Sequence, residues 1–182
     1  EAVDKDIAKA SAREFKKQSL DIRLGSKVKS AEVADNEVKL SVEVNGEEEH
    51  FTVDKLLVAV GRRANTEGLL GDNTGVKVNQ RGQIEVDEYC RTSADNVWAV
   101  GDAVRGPMLA HKASEEGIAV AEQIAGESGH CNLDTIPWVI YTDPEIAWVG
   151  KNEQELQAEG VDYKTGSFPF AASGRGMAMG EA

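Results

Sequence analysis

An aspartate at the end of an apolar run is the first residue of this sequence that could do chemistry. Residues 97–100 are apolar, and Gly101 and Asp102 follow them. Ligands of open parallel sheets gather outside the carboxyl ends of the strands. A glycine there removes the Cβ that would block a ligand, and a carboxylate accepts hydrogen bonds from sugar or polyol hydroxyls. Taken alone, the two residues fit an ordinary turn with a self-bonded aspartate equally well.

A helix is predicted to begin a few residues later, directly after Pro107, which suits a first helical turn. Its first residues are Met108, Leu109, Ala110 and His111. The free backbone N–H groups and the positive dipole end of such a helix stabilise an anion, a phosphate or negative charge developing on a ring. His111 could be a ligand, a base or a surface residue, and its type alone favours the surface. Together with Asp102, this helix start predicts a site for a ligand with a polyol chain and a charge-accepting ring.

The elements that must position these groups can be predicted from residue patterns. An amphipathic helix is predicted over residues 4–18, with Asp4 as its N-cap, and a strand over residues 20–24. Three short strands follow between residues 28 and 53. Their turns are predicted at Asp35-Asn36 and Asn45-Gly46, and Asn-Gly is a strong hairpin signal.

Two continuously apolar runs, residues 56–60 and 97–100, are typical of strands covered on both faces of a parallel sheet. Between them, a hairpin is predicted around residues 79–82. The helix after Pro107 is expected to bury one face, formed by Leu109, Ala113, Gly117, Val120 and Ile124. The sequence therefore predicts an α/β fold with an antiparallel excursion, and region boundaries near residues 62 and 132.

The last fifty residues have a different character. Two strands are predicted around Asp143-Pro144, and Asn152 with Glu155 forms a possible capping box for a helix over residues 153–159. A strand is predicted to follow over residues 161–170.

Composition narrows the possible functions. The formal net charge of −12 disfavours nucleic acid and anionic membrane as partners. The two cysteines, Cys90 and Cys131, lie far apart in no metal-type cluster, which fits a reducing cytoplasm. The abrupt ends predict that the sequence is a piece of something longer.

Three stretches resemble a known family. "TSADNVWAVGDAVRGPMLAHKASEEG" resembles the second flavin-binding motif of dihydrolipoyl dehydrogenases, which are flavin-dependent pyridine nucleotide-disulfide oxidoreductases. "LLVAVGRRANTEGL" is similar to the motif ending the family's NAD domain, except that Ala64 replaces the usual proline. "IPWVIYTDPEIAWVGKNEQEL" resembles the entry to its dimerisation domain. The segment Met108–His111 resembles fewer members of the family than the rest of the motif does, and it favours the lipoyl enzymes over glutathione or mercuric reductase.

The resemblance implies FAD and NAD as cofactors and gives roles to particular residues. Asp102 would bind the ribityl chain of FAD, and Met108 to His111 would lie against the pyrimidine edge of the flavin. Gly61 would approach the NAD backbone. Val28 would line the NAD cleft, although a simple strand residue fits it as well. Arg62 and Arg63 are expected to form surface or inter-domain ion pairs.

The resemblance also implies a domain order. Residues 1–62 would end the NAD-binding domain. Residues 63–131 would form a central segment returning to the FAD-binding domain, and residues 132–182 would begin an α+β dimerisation domain. The implied partners are a second subunit and the dihydrolipoyl acyltransferase component of 2-oxo acid dehydrogenase complexes.

Several features that the family needs do not occur in this sequence: a GxGxxG turn, two cysteines separated by four residues, and a histidine–glutamate pair late in the dimerisation domain. The 182 residues alone are therefore expected to be inactive. Another disulfide reductase of the family, or a non-catalytic interaction module built on the same fold, remains an alternative.

Overall fold

The computed structural model describes residues 3–180, which form two compact units. The larger unit spans Lys9–Gly150, and the smaller unit combines residues 3–8 with residues 151–180. The helices are α1 Lys5–Lys17, α2 Ala110–Ile124, α3 Glu153–Ala158 and α4 Gly174–Met179. The strands are β1 Ser26–Ala34, β2 Glu37–Val44, β3 Glu47–Val53, β4 Trp138–Ile140 and β5 Ile146–Trp148. None of the helices described is long and apolar enough to cross a membrane.

Strands β1, β2 and β3 form the antiparallel meander that the turn residues predicted. Asn45 and Gly46 have φ angles of 52° and 92°, the positive values that a tight hairpin turn requires at both central positions. In register, Leu40 lies opposite Phe51 and Val38 opposite Val53. Apolar residues of the three strands therefore share one face of the meander.

The two apolar runs that predicted parallel strands do not form strands in the part of the chain described. Residues 56–60 belong to no ladder, and Leu57 and Val60 are 89% and 94% exposed. In residues 97–100, Trp98 makes only an isolated antiparallel bridge to Arg91. A strand buried on both faces needs a neighbour on each side and a layer above and below. No such partners surround these runs within residues 3–180.

Two other predicted strands, over residues 20–24 and 161–170, are also irregular in the structure. Their apolar side chains are largely exposed, as Leu24 at 83% and Phe168 at 72% show. The predicted hairpin around residues 79–82 is reduced to a single bridge between Val78 and Ile84. Alternation alone therefore overestimated the extent of the sheets.

The core of the larger unit lies where residues 76–104 fold back against α2. The Ile84 N–H donates to the Ala103 carbonyl over 2.8 Å, and the Ala99 N–H donates to the Cys90 carbonyl over 3.0 Å. These bonds carry Ile84, Cys90 and Val104 into the interior, where at most 6% of each residue is exposed. The loop ending at Gly101 is thereby fixed beside α2.

Helix α2 begins at Ala110, two residues later than predicted, and buries a different face. Its buried residues are Lys112, Glu116 and Ala119. The predicted apolar face is only partly covered, and Ile124 at its end is 64% exposed. Two charged residues have displaced the apolar stripe because the loop ending at Gly101 offers polar backbone groups to them, as described below.

The predicted strands around Asp143-Pro144 are confirmed as the β4–β5 hairpin. Trp138 lies opposite Trp148, and the two rings stack with centroids 5.7 Å apart and planes 6° from parallel. The Asp143-Pro144 peptide bond is cis. Cross-strand aromatic pairs of this kind stabilise short hairpins.

In the smaller unit, the predicted capping box is confirmed. The Asn152 side chain accepts from the Glu155 N–H, and the Glu155 carboxylate accepts from the Asn152 N–H, both over 2.9 Å. Helix α3 therefore starts where the sequence indicated. Asp4 caps α1 by accepting from the Asp6 N–H over 3.0 Å, as predicted. Its other carboxylate oxygen accepts from the Glu153 N–H over 3.3 Å.

Two glycines provide a matched test of packing around α2. A Cβ on Gly129 would lie 2.0 Å from the Ala119 carbonyl oxygen, whereas a Cβ on Gly117 would have no neighbour within 4 Å. We expect Gly129→Ala to lower the free energy of unfolding by about 1–3 kcal/mol through overpacking. Gly117→Ala should raise it by up to about 1 kcal/mol, because alanine is the better helix former. Urea unfolding of the purified chain measures both, and equal stability of the two variants would contradict this packing.

Candidate functional site

The candidate site is built on the short 3-10 turn Gly101–Ala103, which carries Asp102. Gly101 has a φ of +75°, and a Cβ at this position would lie 3.2 Å from the Cβ of Ala113. Only glycine adopts that backbone readily and also allows α2 to approach so closely. The glycine therefore places the turn directly against the first part of α2.

Two buried charged side chains of α2 hold the Gly101 residue from both sides. The Gly101 N–H donates to Glu116 Oε2 over 2.7 Å, and Lys112 Nζ donates to the Gly101 carbonyl over 3.0 Å. The Lys112 ammonium and the Glu116 carboxylate form an ion pair at 2.9 Å, with side chains 0% and 1% exposed. Buried charges are tolerated when they are paired and hydrogen-bonded in this way.

Arg105 extends this buried cluster. Its guanidinium lies 3.4 Å from Glu116 Oε1 and donates to the Asp87 carbonyl over 2.8 Å. Lys112 also donates to the Arg105 carbonyl over 2.8 Å. Sequence reasoning missed all three residues. The only local signal was the four-residue spacing of Lys112 and Glu116, which usually indicates a solvent-exposed helix pair.

Asp102 itself is half-exposed and points at a partner from a distant part of the chain. Its Oδ2 lies 3.2 Å from Arg62 Nη1, and the same nitrogen lies 3.5 Å from the Met108 carbonyl. The self-bonded turn aspartate is therefore not what the structure contains. Asp102 Oδ1 has no hydrogen-bond partner within the described residues and is available to a hydroxyl group.

The start of α2 offers unpaired backbone donors. Leu109 is the N-cap, has an extended backbone and provides no side-chain cap. Within residues 3–180, the N–H groups of Ala110, His111 and Lys112 have no acceptor. The His111 Nε2–H donates to the Pro137 carbonyl over 2.7 Å, so this side chain anchors the approach to β4. His111 therefore links the start of α2 to residue 137 and is not a surface residue without contacts.

A cleft of about 670 Å³ adjoins this arrangement. Met108 lines it together with Arg62, Arg63 and Arg81. Arg63 and Arg81 form no ion pair within the described part of the chain, which leaves their guanidinium groups available to an anion. The cleft provides room for a ligand of cofactor size at Arg62 and Met108, but residues 101–103 and 109–111 are not part of its lining.

The other two predicted site residues lie elsewhere along the chain. Gly61 has a φ of +151°, is exposed, and directly precedes Arg62, whose guanidinium reaches Asp102. Val28 lies in β1, opposite Val42, and is 54% exposed. The structure thus connects Gly61 to the site through its neighbour and places Val28 in the meander.

The two cysteines do not resemble reactive thiols. Both are free; Cys90 is buried and Cys131 is partly exposed. Burial is the largest cause that raises the pKa of both thiols above the ordinary value, and the Glu116 carboxylate adds to it. A raised pKa lowers the fraction of thiolate, which is the reactive form. Within residues 3–180 no group of three or more His, Cys, Asp or Glu side chains could hold a metal ion.

Comparison with protein families shows which family this chain belongs to. Residues 1–117 match the family described as pyridine nucleotide-disulphide oxidoreductase, and residues 136–182 match the dimerisation domain of the same family. The chain belongs to the pyridine nucleotide-disulphide oxidoreductases. The resemblance noted in the sequence and the predicted α/β class are both confirmed.

Several individual proteins that are similar to this chain are dihydrolipoyl dehydrogenases. The chain is 49% identical over 182 residues to the dihydrolipoyl dehydrogenase of Cupriavidus necator, covering 100% of this chain and 38% of that relative. It is 43% identical over 176 residues to the mitochondrial dihydrolipoyl dehydrogenase of Homo sapiens, covering 95% of this chain and 35% of the human protein. The chain therefore spans little more than a third of the length of these relatives.

Two solved structures agree with this chain in fold. The HOCl-induced flavoprotein disulfide reductase RclA from Escherichia coli matches with a TM-score of 0.81 at 31% identity, over 97% of this chain and 40% of that one. LpdA from Mycobacterium tuberculosis matches with a TM-score of 0.85 at 23% identity, over 99% of this chain and 39% of that one. The latter similarity is one of fold alone.

The exposure and pKa of the thiols predict how fast each reacts with a disulfide reagent. We expect Cys131 to react with DTNB in a fast phase and Cys90 in a slow phase, because only Cys131 is accessible without local opening. Both rates should rise with pH from 7 to 9, since the raised pKa of each thiol leaves little thiolate at neutral pH.

The Cys131→Ser variant serves as the control and should remove the fast phase only. Loss of the slow phase in that variant, or a faster reaction of Cys90 in the original chain, would contradict the assignment.

Proposed function

We propose that this chain forms part of a longer flavoprotein that oxidises dihydrolipoyl groups with FAD and passes the electrons to NAD. The observation that carries the proposal is the placement of the segment Met108–His111 at the start of α2, beside the Asp102 turn. The 49% identity to a dihydrolipoyl dehydrogenase supports the choice of substrate over those of other disulfide reductases.

The residues present fit a flavin at this position. Asp102 Oδ1 is free to accept a hydrogen bond from a ribityl hydroxyl, while Oδ2 stays with Arg62. The unpaired amides at the start of α2 are available to the pyrimidine edge of the ring, where they and the helix dipole stabilise negative charge. The segment Met108–His111 would lie along that edge.

When bound, the flavin supplies electron transfer between a dithiol and the nicotinamide. This chain's own residues bind and orient it. Gly61 would let the NAD backbone approach closely, since no atom of the chain lies within 4 Å of the position that a Cβ would occupy. Val28 would line the NAD cleft. The cysteine pair and the acid–base residues that the reaction needs are proposed to lie outside these residues.

We assign residues 1–62 to the end of an NAD-binding domain, residues 63–131 to the return to an FAD-binding domain, and residues 132–182 to the beginning of a dimerisation domain. Large apolar side chains near the β4–β5 hairpin support an interface there: Tyr141 is 81% exposed and Val149 57%. The proposed assembly is a homodimer that serves a dihydrolipoyl acyltransferase component in the cytoplasm.

The activity is tested on the complete protein that contains this chain. We expect it to oxidise dihydrolipoamide with NAD and to reduce glutathione disulfide poorly, because the segment Met108–His111 resembles the lipoyl enzymes and not glutathione reductase. The 182 residues alone should be silent in the same assay. Strong glutathione reduction without lipoyl activity in the complete protein would contradict the proposal.

The flavin contact is tested by Asp102→Ala in the complete protein. A hydrogen bond to a charged group contributes roughly 1.5–3 kcal/mol, so FAD affinity should fall by about 10- to 150-fold. Flavin content after dialysis measures the loss. The matched control is Asp72→Ala, which removes an exposed carboxylate outside the site. Equal flavin retention by the two variants would mean that Asp102 does not bind the cofactor.

A further inference from the structure

We propose that Glu116 and Lys112 are positioning residues of the flavin site. They fix the Gly101 backbone on both sides and thereby set the direction in which the Asp102 carboxylate points. This inference rests on the proposed function, because it assumes that Asp102 contacts the flavin.

The hydrogen bonds around Gly101 leave the turn little freedom. Its N–H is held by Glu116 over 2.7 Å, and its carbonyl accepts both from Lys112 over 3.0 Å and from the Val104 N–H over 3.3 Å. Asp102, the next residue, has no backbone N–H partner within the described residues. The direction of its side chain therefore depends on the residue before it.

Stability alone does not account for charged residues at these two helix positions. Both side chains are almost fully removed from solvent. Apolar residues of similar volume often replace a buried ion pair with no loss of stability. Apolar residues could not, however, accept from the Gly101 N–H or donate to its carbonyl. The charged pair supplies what packing cannot, which is a fixed peptide orientation.

The same helix also carries the other half of the site. Lys112 and Glu116 lie in the first two turns of α2, and the unpaired amides of that helix belong to Ala110, His111 and Lys112 itself. One rigid helix therefore sets both the carboxylate turn and the charge-stabilising helix end. Their spacing is fixed relative to a single element, as a ligand gripped at two points requires.

Two double variants of the complete protein separate positioning from packing. Lys112→Met/Glu116→Gln removes both charges but keeps an acceptor for the Gly101 N–H. Lys112→Met/Glu116→Leu removes the acceptor as well. We expect FAD to bind about tenfold or more weakly to the Leu variant than to the Gln variant, by fluorescence titration. Urea unfolding of the flavin-free proteins checks that both variants stay folded, and the Leu variant should be the less stable because its buried Gly101 N–H has no acceptor.

Equal FAD affinity of the two double variants, which differ only in the acceptor at residue 116, would overturn the positioning role of Glu116. Flavin binding by the unaltered protein and its loss in Asp102→Ala test the proposed function separately, so the two failures are distinguishable.

A second measurement needs no variant. In amide hydrogen exchange on the unaltered protein, the Gly101 N–H should exchange at least about tenfold more slowly than the Asp102 N–H, because only the former is bonded to a buried carboxylate. Equal exchange rates for these two neighbouring amides would overturn the proposal, whatever the FAD affinities of the double variants.

Discussion

The buried pair between Lys112 and Glu116 is the interaction on which the candidate site depends. It joins two residues of one helix and, through them, both polar groups of the Gly101 backbone. Removing one partner of a buried pair leaves an uncompensated charge, which typically costs roughly 3–5 kcal/mol. Because Arg105 also contacts Glu116, the cluster anchors the chain on both sides of the Asp102 turn.

The site divides its tasks between a carboxylate and a helix end. Asp102 offers an acceptor to hydroxyl groups, whereas the start of α2 offers amide donors to negative charge. Arg62 links the two, since its guanidinium lies near both Asp102 and the Met108 carbonyl. An exposed ion pair of this kind contributes little to stability. Its contribution lies in holding one carboxylate oxygen while the other remains open.

The sequence predicted features that depend on neighbours along the chain. The Asn45-Gly46 turn and the Asn152 capping box both form as expected, because backbone geometry and capping are set within a few residues. The close succession of a glycine-aspartate turn and a helix start also predicts one ligand-binding edge over residues 101–111, and that use of the edge stays a prediction.

Features that depend on distant partners were not predicted. Residues 56–60 looked like a buried strand, but burial requires neighbouring strands that the described residues do not supply. The Arg62–Asp102 pair joins residues forty positions apart, which no local pattern indicates. The burial of Lys112 and Glu116 could not be predicted from the sequence, because a four-residue spacing of opposite charges usually indicates an exposed helix pair. Only a loop folded against α2 makes them interior residues.

A crystal structure of the complete protein with FAD bound would show both proposed flavin contacts at once. We expect a ribityl hydroxyl within hydrogen-bond distance of Asp102 and the pyrimidine edge of the flavin facing the amides at the start of α2. A flavin bound elsewhere, with Asp102 and the segment Met108–His111 free of contact to it, would show that these residues do not form the cofactor site.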